Sequence, residues 1–242
     1  MLMTEITNSE AITAWSNAPR EIVEQFGEEG DIARQYLLNP ALFSLLGDVR
    51  GKHILDAGCG QGYLSRLLAK RGAIVTGVEP ATSMYDYAVQ QEQAEHLGIT
   101  YLQQDLSLIN SFQQCFDFVI ANMVFMDIPA YETAIHNCIA ALKQHGRLIF
   151  SILHPCFDEP QAGWDARGYA EVREYFQERA LPQTFGYFFH RTVSSYLNLV
   201  IREGCSIQQL MEPQLDIETA QRIGHERNVH VPDFLVVDAM KL

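Results

Sequence analysis

The chain has 242 residues, with 30 Asp and Glu against 17 Lys and Arg and a formal net charge of −13. That length suits one α/β domain with a substantial core, and the acidic balance argues against a nucleic-acid substrate, whose backbone is held by clustered Lys and Arg. The start, Met1-Leu2-Met3-Thr4-Glu5, has no basic region ahead of an apolar run, and no stretch is apolar for long enough to span a bilayer, which points to a cytoplasmic protein without a membrane partner.

Residues 1–50 read as an N-terminal helical cap. Gly30-Asp31 opens one helix with Ile32, Tyr36 and Leu37 on its apolar side. Asn39, Pro40 and the closing Gly47 have the cap, first-turn proline and terminal glycine of another. Over residues 51–154 short β-rich runs alternate with helical patterns. The runs are Ile54-Leu55, Ile74 to Val78, Thr100 to Leu102, Phe116 to Ile120 and Leu148 to Leu153. This alternation predicts a parallel sheet with helices on both faces, and ligands in such sheets bind beyond the carboxyl ends of the strands.

Residues 155–190 have no clear period and are rich in aromatics, among them Phe157, Trp164, Tyr175, Phe176 and Phe185. A long irregular segment in a compact domain reads as a lid over a binding site; the competing reading is a fixed satellite core or a dimer contact. Residues 191–242 supply a C-terminal helix and strands. Val193, Tyr196, Leu197, Val200 and Ile201 fall on one helical face that stops at Gly204, and Phe234 to Val237 is a last strand. Five cysteines (Cys59, Cys115, Cys138, Cys156 and Cys205) lack C-x-x-C spacing, so no disulfide framework, zinc site or other metal is expected.

The most informative stretch is residues 53–62, His-Ile-Leu-Asp-Ala-Gly-Cys-Gly-Gln-Gly, an apolar strand breaking into a D-x-G-x-G-x-G loop before a helix. Glycines let the backbone turn tightly and approach a ligand, so Gly58 and Gly60 form a cradle. Dinucleotide loops use G-x-G-x-x-G around a pyrophosphate. Here the third glycine comes one residue early, and Asp56 stands before the first. A carboxylate beside the cradle repels a pyrophosphate and suits a ligand bearing ammonium and sulfonium charges, such as S-adenosylmethionine. Glu79, at the end of the next strand, stands where an acid accepts both hydroxyls of a ribose.

Leu55 to Gly62, Val78-Glu79-Pro80, Gln104-Asp105 and the segment from Phe116 to Asn122 together resemble the class I S-adenosylmethionine-dependent methyltransferases of the small-molecule group, over about residues 30 to 155. The resemblance implies a Rossmann-like seven-stranded, mostly parallel sheet with helices on both faces, its last strand antiparallel beside the fifth. To this the chain adds N-terminal helices and a lid insertion after the fifth strand, in one methyltransferase domain over residues 1–242. It further implies that Asp105 and the Leu106 amide meet the adenine, that Asn122 lines the methionine end unless it is only a turn residue, and that Arg34, in a Gly-Asp-x-x-Arg segment, pairs with the cofactor's carboxylate unless it is a solvated helix residue.

His154 follows the fifth strand in His-Pro-Cys, and an imidazole there could take a proton from an acceptor hydroxyl or amine; the alternative is a histidine that satisfies loop backbone. His190-Arg191 could bind an acidic substrate or join the lid to the core. Cys59 reads as a small buried hydrophobe. The expected function is methyl transfer from S-adenosylmethionine to a small molecule through an O, N or C nucleophile, leaving S-adenosylhomocysteine. A cofactor-binding protein without turnover, or a nicotinamide-dependent oxidoreductase, is the alternative. The acceptor and the oligomeric state are not legible.

Overall fold

The computed structural model describes residues 6–109, 111–157 and 164–242. Two N-terminal helices, α1 (Asn8–Ser16) and α2 (Arg20–Gln25), precede a π-helical turn (Arg34–Leu38) that runs directly into α3 (Asn39–Leu46). The core then alternates β1 (His53–Ala57), α4 (Tyr63–Lys70), β2 (Ile74–Val78), α5 (Thr82–Glu95), β3 (Thr100–Leu102), β4 (Phe116–Asn122), a 3-10 turn (Phe125–Asp127), α6 (Tyr131–Ala141) and β5 (Leu142–Leu153). A short α7 (Trp164–Arg167) and a two-stranded hairpin, β6 (Arg179–Pro182) and β7 (Tyr187–His190), lead to α8 (Val193–Arg202), β8 (Cys205–Met211), α9 (Ile217–Ile223) and β9 (Phe234–Lys241).

Seven strands form the main sheet in the order β3-β2-β1-β4-β5-β9-β8. The first five are parallel, and β9 and β8 add antiparallel beside β5. Both faces are covered, so adjacent residues of each central strand go to opposite cores. Leu55, Val119, Phe150 and Val237 pack into one core; Ile54, Phe118, Ile149 and Val236 pack into the other. The strand order reverses between β1 and β4, and that is where a doubly wound sheet opens a crevice beyond its carboxyl ends.

Two local readings are corrected. Asn39 does not cap α3, because the chain arrives already helical; its buried side chain instead donates to Glu29 O at 2.7 Å and accepts from the Tyr63 hydroxyl at 3.3 Å. Ile32 is exposed, whereas Leu37 and Leu38 are buried, since the π-helical turn rotates the face that an unbroken α-helix would bury. Gly47 closes α3 with φ of 62°, as its composition predicts.

Candidate active site

The glycine loop leaves β1 and is tied to the end of β2, with the amides of Gly58 and Cys59 donating to Val78 O at 2.8 and 3.0 Å. Gly58 has φ of +71°, and a Cβ there would meet Val124 at 2.5 Å, so only glycine lets the loop pass this close to the turn after β4. Gly60, φ +55°, has no protein atom within 4 Å of the position a Cβ would take. It lines a cavity at the carboxyl ends of β1 to β4, and the space over it is open to a ligand.

Glu79 is buried at the end of β2 and lines this cavity. Its carboxylate accepts from Gly60 N at 2.9 Å and Ala81 N at 2.8 Å, fixing the loop against the strand. Burial pushes its pKa up to about 7 against the pull of these two amides. Asp105 and Leu106, after β3, form the next part of the wall. The Asp105 carboxylate accepts from Ser107 N at 2.8 Å and from Asn8 Nδ2 at 3.1 Å. Beyond β4, Asn122 donates to the Tyr63 hydroxyl at 2.7 Å and accepts from Ser151 Oγ at 2.6 Å, so its amide is held rigidly at the wall. Arg34 reaches the same end, bound to Asp31 through its backbone and side chain and stacked over Phe26 with 4.9 Å to the ring centroid.

Thus Arg34, Gly58, Gly60, Glu79, Asp105, Leu106 and Asn122 converge on one cavity, and two expected site residues do not. Asp56 lies behind the loop. It is buried, accepts from Ser65 Oγ at 2.5 Å and so pins the start of α4, with its pKa pushed up to about 6 by desolvation. The carboxylate that faces the cradle is Glu79, not Asp56, because strand alternation turns Asp56 away. His154 is likewise absent from the cavity wall. Its Nδ1 accepts from Cys156 N at 3.2 Å, its Nε2 faces Glu212 Oε1 at 2.9 Å, and its backbone is tied to Asp233 O. Both ring nitrogens are engaged in loop contacts, away from the cavity wall.

Sequence reasoning missed the cover. Helix α1 lies across the cavity and contributes Asn8, Ile12 and Trp15 to its lining. Asn8 is the clasp: besides Asp105 it donates to Ser107 Oγ at 2.8 Å and accepts from Ala130 N at 2.9 Å, joining the loops after β3 and β4. At its other end Ser16 Oγ accepts from Thr82 N and the Trp15 carbonyl accepts from Ser83 Oγ, docking α1 on the start of α5. Among the described residues, none of 155–190 lines the cavity; residues 158–163 of that segment, like Met1 to Glu5, lie outside the described ones. Its β6–β7 hairpin backs α1 instead, with Phe185 packed beside Trp15 and Ala180 and Phe189 enclosing Ile6.

His190 and Arg191 join this segment to the core. Arg191 is fully buried and donates to the carbonyls of Phe125 at 3.0 Å, Ile128 at 2.8 Å and Pro129 at 3.2 Å, so it holds the turn after β4. That turn carries Asp127 into the cavity wall, a residue whose only sequence signal is its place five residues after Asn122. Cys59 is buried, and desolvation followed by the charges of Asp56 and Glu79 drives its pKa well up, so it is an inert packing residue.

The donor set fits a nucleoside that carries an amino-acid tail. A carboxylate stands at the end of β2, a carboxylate and an amide follow β3, and a guanidinium and a carboxamide stand at the far end. The Gly60 amide is already given to Glu79, which leaves a negative charge where a dinucleotide's pyrophosphate would need a positive one. This is the site plan of a nucleoside-dependent transferase on a doubly wound sheet.

Known proteins agree. Residues 55–150 match a family described as a methyltransferase domain. A ubiquinone biosynthesis O-methyltransferase of Coxiella burnetii is 36% identical over 131 residues, covering 53% of this chain and 56% of the relative. One of Glaesserella parasuis is 31% identical over 158 residues, covering 57% and 66%. The chain thus spans little more than half the length of the first of these relatives. An S-adenosylmethionine-dependent methyltransferase structure from Mesorhizobium loti superposes with a TM-score of 0.74 at 28% identity, covering 84% of this chain and 96% of that one. A magnesium protoporphyrin IX methyltransferase from Synechocystis with bound S-adenosylmethionine has the same fold, with a TM-score of 0.64 at 17% identity and 98% coverage of both chains. The core of the chain thus matches the methyltransferase-domain family, and its fold is that of S-adenosylmethionine-dependent methyltransferases.

Proposed function

We propose that this protein is an S-adenosylmethionine-dependent methyltransferase whose acceptor is a small molecule with an oxygen, nitrogen or carbon nucleophile. The observation that carries the reading is the open space over Gly60, bordered by Glu79 and extending from Asp105 to Arg34 at the carboxyl ends of the parallel strands. Glu79 would take the ribose hydroxyls, Asp105 and the Leu106 amide the adenine edge, Asn122 the amino-acid end and Arg34 its carboxylate. The bound cofactor supplies a methyl group on a sulfonium, which is electrophilic without further activation. The protein's own task is therefore to orient the acceptor and exclude water.

The cavity suits that task. Ile12, Trp15, Phe26 and Met84 give it apolar walls, and α1, backed by the β6–β7 hairpin, covers it. The net charge of −13 supports a small-molecule acceptor over a nucleic acid. No helix among the described residues is long and apolar enough to cross a membrane. The test is thermal unfolding with S-adenosylhomocysteine and with NAD in parallel, followed by transfer of labelled methyl to a panel of phenols and amines. The expected result is a rise in Tm with S-adenosylhomocysteine alone. Equal shifts, or no shift with either at saturation, would refute the assignment.

A further inference from the structure

Among the charged side chains of the cavity wall, Asp127 stands apart. Glu79 is committed to two backbone amides, Asp105 to Ser107 N and Asn8, and Arg34 to Asp31. Asp127 lines the cavity, and its carboxylate makes no hydrogen bond among the described residues. Its position owes nothing to that carboxylate. Arg191 clamps the carbonyls of Phe125, Ile128 and Pro129 on either side of it, and Asp127 N donates to Val124 O at 2.9 Å. A fully buried arginine thus fixes the turn and leaves the acid it carries uncommitted.

The strand order says what part of the ligand this acid meets. Asp105 follows β3 and Glu79 follows β2, which assigns the adenine and the ribose to that side of the sheet. Asp127 follows β4, across the switch point, on the side of Asn122 and Arg34. Resting on the methyltransferase reading, we propose that Asp127 is the counter-charge for the sulfonium, so that this site prefers charged S-adenosylmethionine to the neutral thioether S-adenosylhomocysteine. An uncompensated carboxylate in a desolvated wall is costly alone and is offset by a cation beside it. Once the methyl group has left, the cation is gone and the product loses that hold.

The charges around Asp127 are Arg34 from the π-helical turn, Arg191 ahead of α8, Glu79 at the end of β2 and, further along the wall, Asp105. Desolvation outweighs the two arginines and pushes the Asp127 pKa up to about 8. In the ligand-free protein the acid is therefore largely protonated at neutral pH, and a sulfonium must displace that proton. Glu79 titrates nearby, but it meets the ribose that both ligands share, as both share the amino-acid tail; the ratio of the two affinities isolates the sulfonium.

The experiment is calorimetry of both ligands with the full chain and with Asp127→Asn, at about pH 6 and about pH 9. In the unmodified protein the preference for S-adenosylmethionine should grow with pH, and near neutral pH its binding should release more protons than binding of S-adenosylhomocysteine. In Asp127→Asn the preference should fall about tenfold or more at the higher pH, the size expected for a charged contact, with S-adenosylhomocysteine affinity nearly unchanged. Equal losses for both ligands would make Asp127 a loop residue only, and a pH-independent ratio in the unmodified chain would overturn the proposal even if the variant fails to fold. If the unmodified protein binds neither ligand, the methyltransferase reading itself fails, which is a separable outcome.

Discussion

Glu79→Ala perturbs two things at once, and they can be read separately. The carboxylate accepts from Gly60 N and Ala81 N at 2.9 and 2.8 Å, so its removal leaves two backbone donors without their partner. Each such loss costs about 1–3 kcal/mol when water cannot replace the acceptor. Gly60 borders the cavity and can be hydrated, and removing a carboxyl whose pKa burial raises to about 7 returns part of the loss. A net destabilisation of about 2 kcal/mol follows, or a fall in Tm of roughly 4–8 °C for a chain of this size. Affinity for S-adenosylhomocysteine should fall further, by about tenfold to a hundredfold, because a charged acceptor of ribose hydrogen bonds is worth roughly 1.5–3 kcal/mol. Glu79→Gln keeps one acceptor oxygen for one amide but turns a donor toward the other, so it should lie between the two proteins in Tm. Differential scanning calorimetry and titration calorimetry measure both quantities on the same samples. Unchanged Tm would show that Glu79 does not hold the loop; unchanged affinity would move the ribose contact elsewhere.

Gly60→Val should abolish S-adenosylhomocysteine binding with modest loss of Tm, since its side chain enters open cavity, whereas Gly58→Ala, which drives a Cβ to 2.5 Å from Val124, should destabilise the fold by about 1–3 kcal/mol; the reverse ranking in calorimetry would contradict the loop geometry. Asn8→Ala cuts the hydrogen bonds to Asp105, Ser107 and Ala130 that clasp α1 over the site, so amide exchange in residues 8–16 should accelerate and S-adenosylhomocysteine affinity drop severalfold, about 1 kcal/mol; unchanged exchange would mean that the docking on α5 suffices. His154→Gln should lower Tm by a few degrees through its loop contacts and leave the pH profile of methyl transfer in place, and loss of the acidic limb of that profile would restore the histidine as a base. The carboxyls of Asp56, Glu79 and Asp127 are raised to about 6, 7 and 8, so above the ordinary carboxylate range the folded state holds protons that the unfolded state has released. Their contribution to stability therefore falls as pH rises from about 5 to about 8; a ligand-free Tm that climbs through this window, or a slope unaltered in Glu79→Gln, would refute the assignment.

Much of the sheet and of the cofactor end of the site was legible in the residues themselves. The Asp56 to Gly62 loop, Glu79 and the five β-rich runs are local patterns. A strand buried on both faces must read as continuous Val, Ile and Leu, and a loop with three residues at positive φ must be written in glycine. Leu106 and Asn122 could be placed because they directly follow strands. Nothing comparable marks β8, whose side chains are mostly half-buried or exposed at the sheet edge, or the β6–β7 hairpin, whose pairing follows no short turn signal.

The sequence by itself determined a parallel sheet, a glycine loop and an acid at the end of the second strand. Only the tertiary structure decided which of the neighbouring polar groups faces the cavity. Asp56 and Glu79 are both acids at strand ends, yet strand alternation buries one behind the loop and turns the other into the cavity. His154 and Asp127 both follow strands, and the contacts with Glu212 and the Cys156 amide draw the first into loop structure while Arg191 presents the second. The cover depends on Asn8 meeting Asp105, 97 residues away along the chain. Contacts of that separation leave no periodicity or spacing in a sequence, because the chain that joins the partners folds through a whole βα unit before it returns.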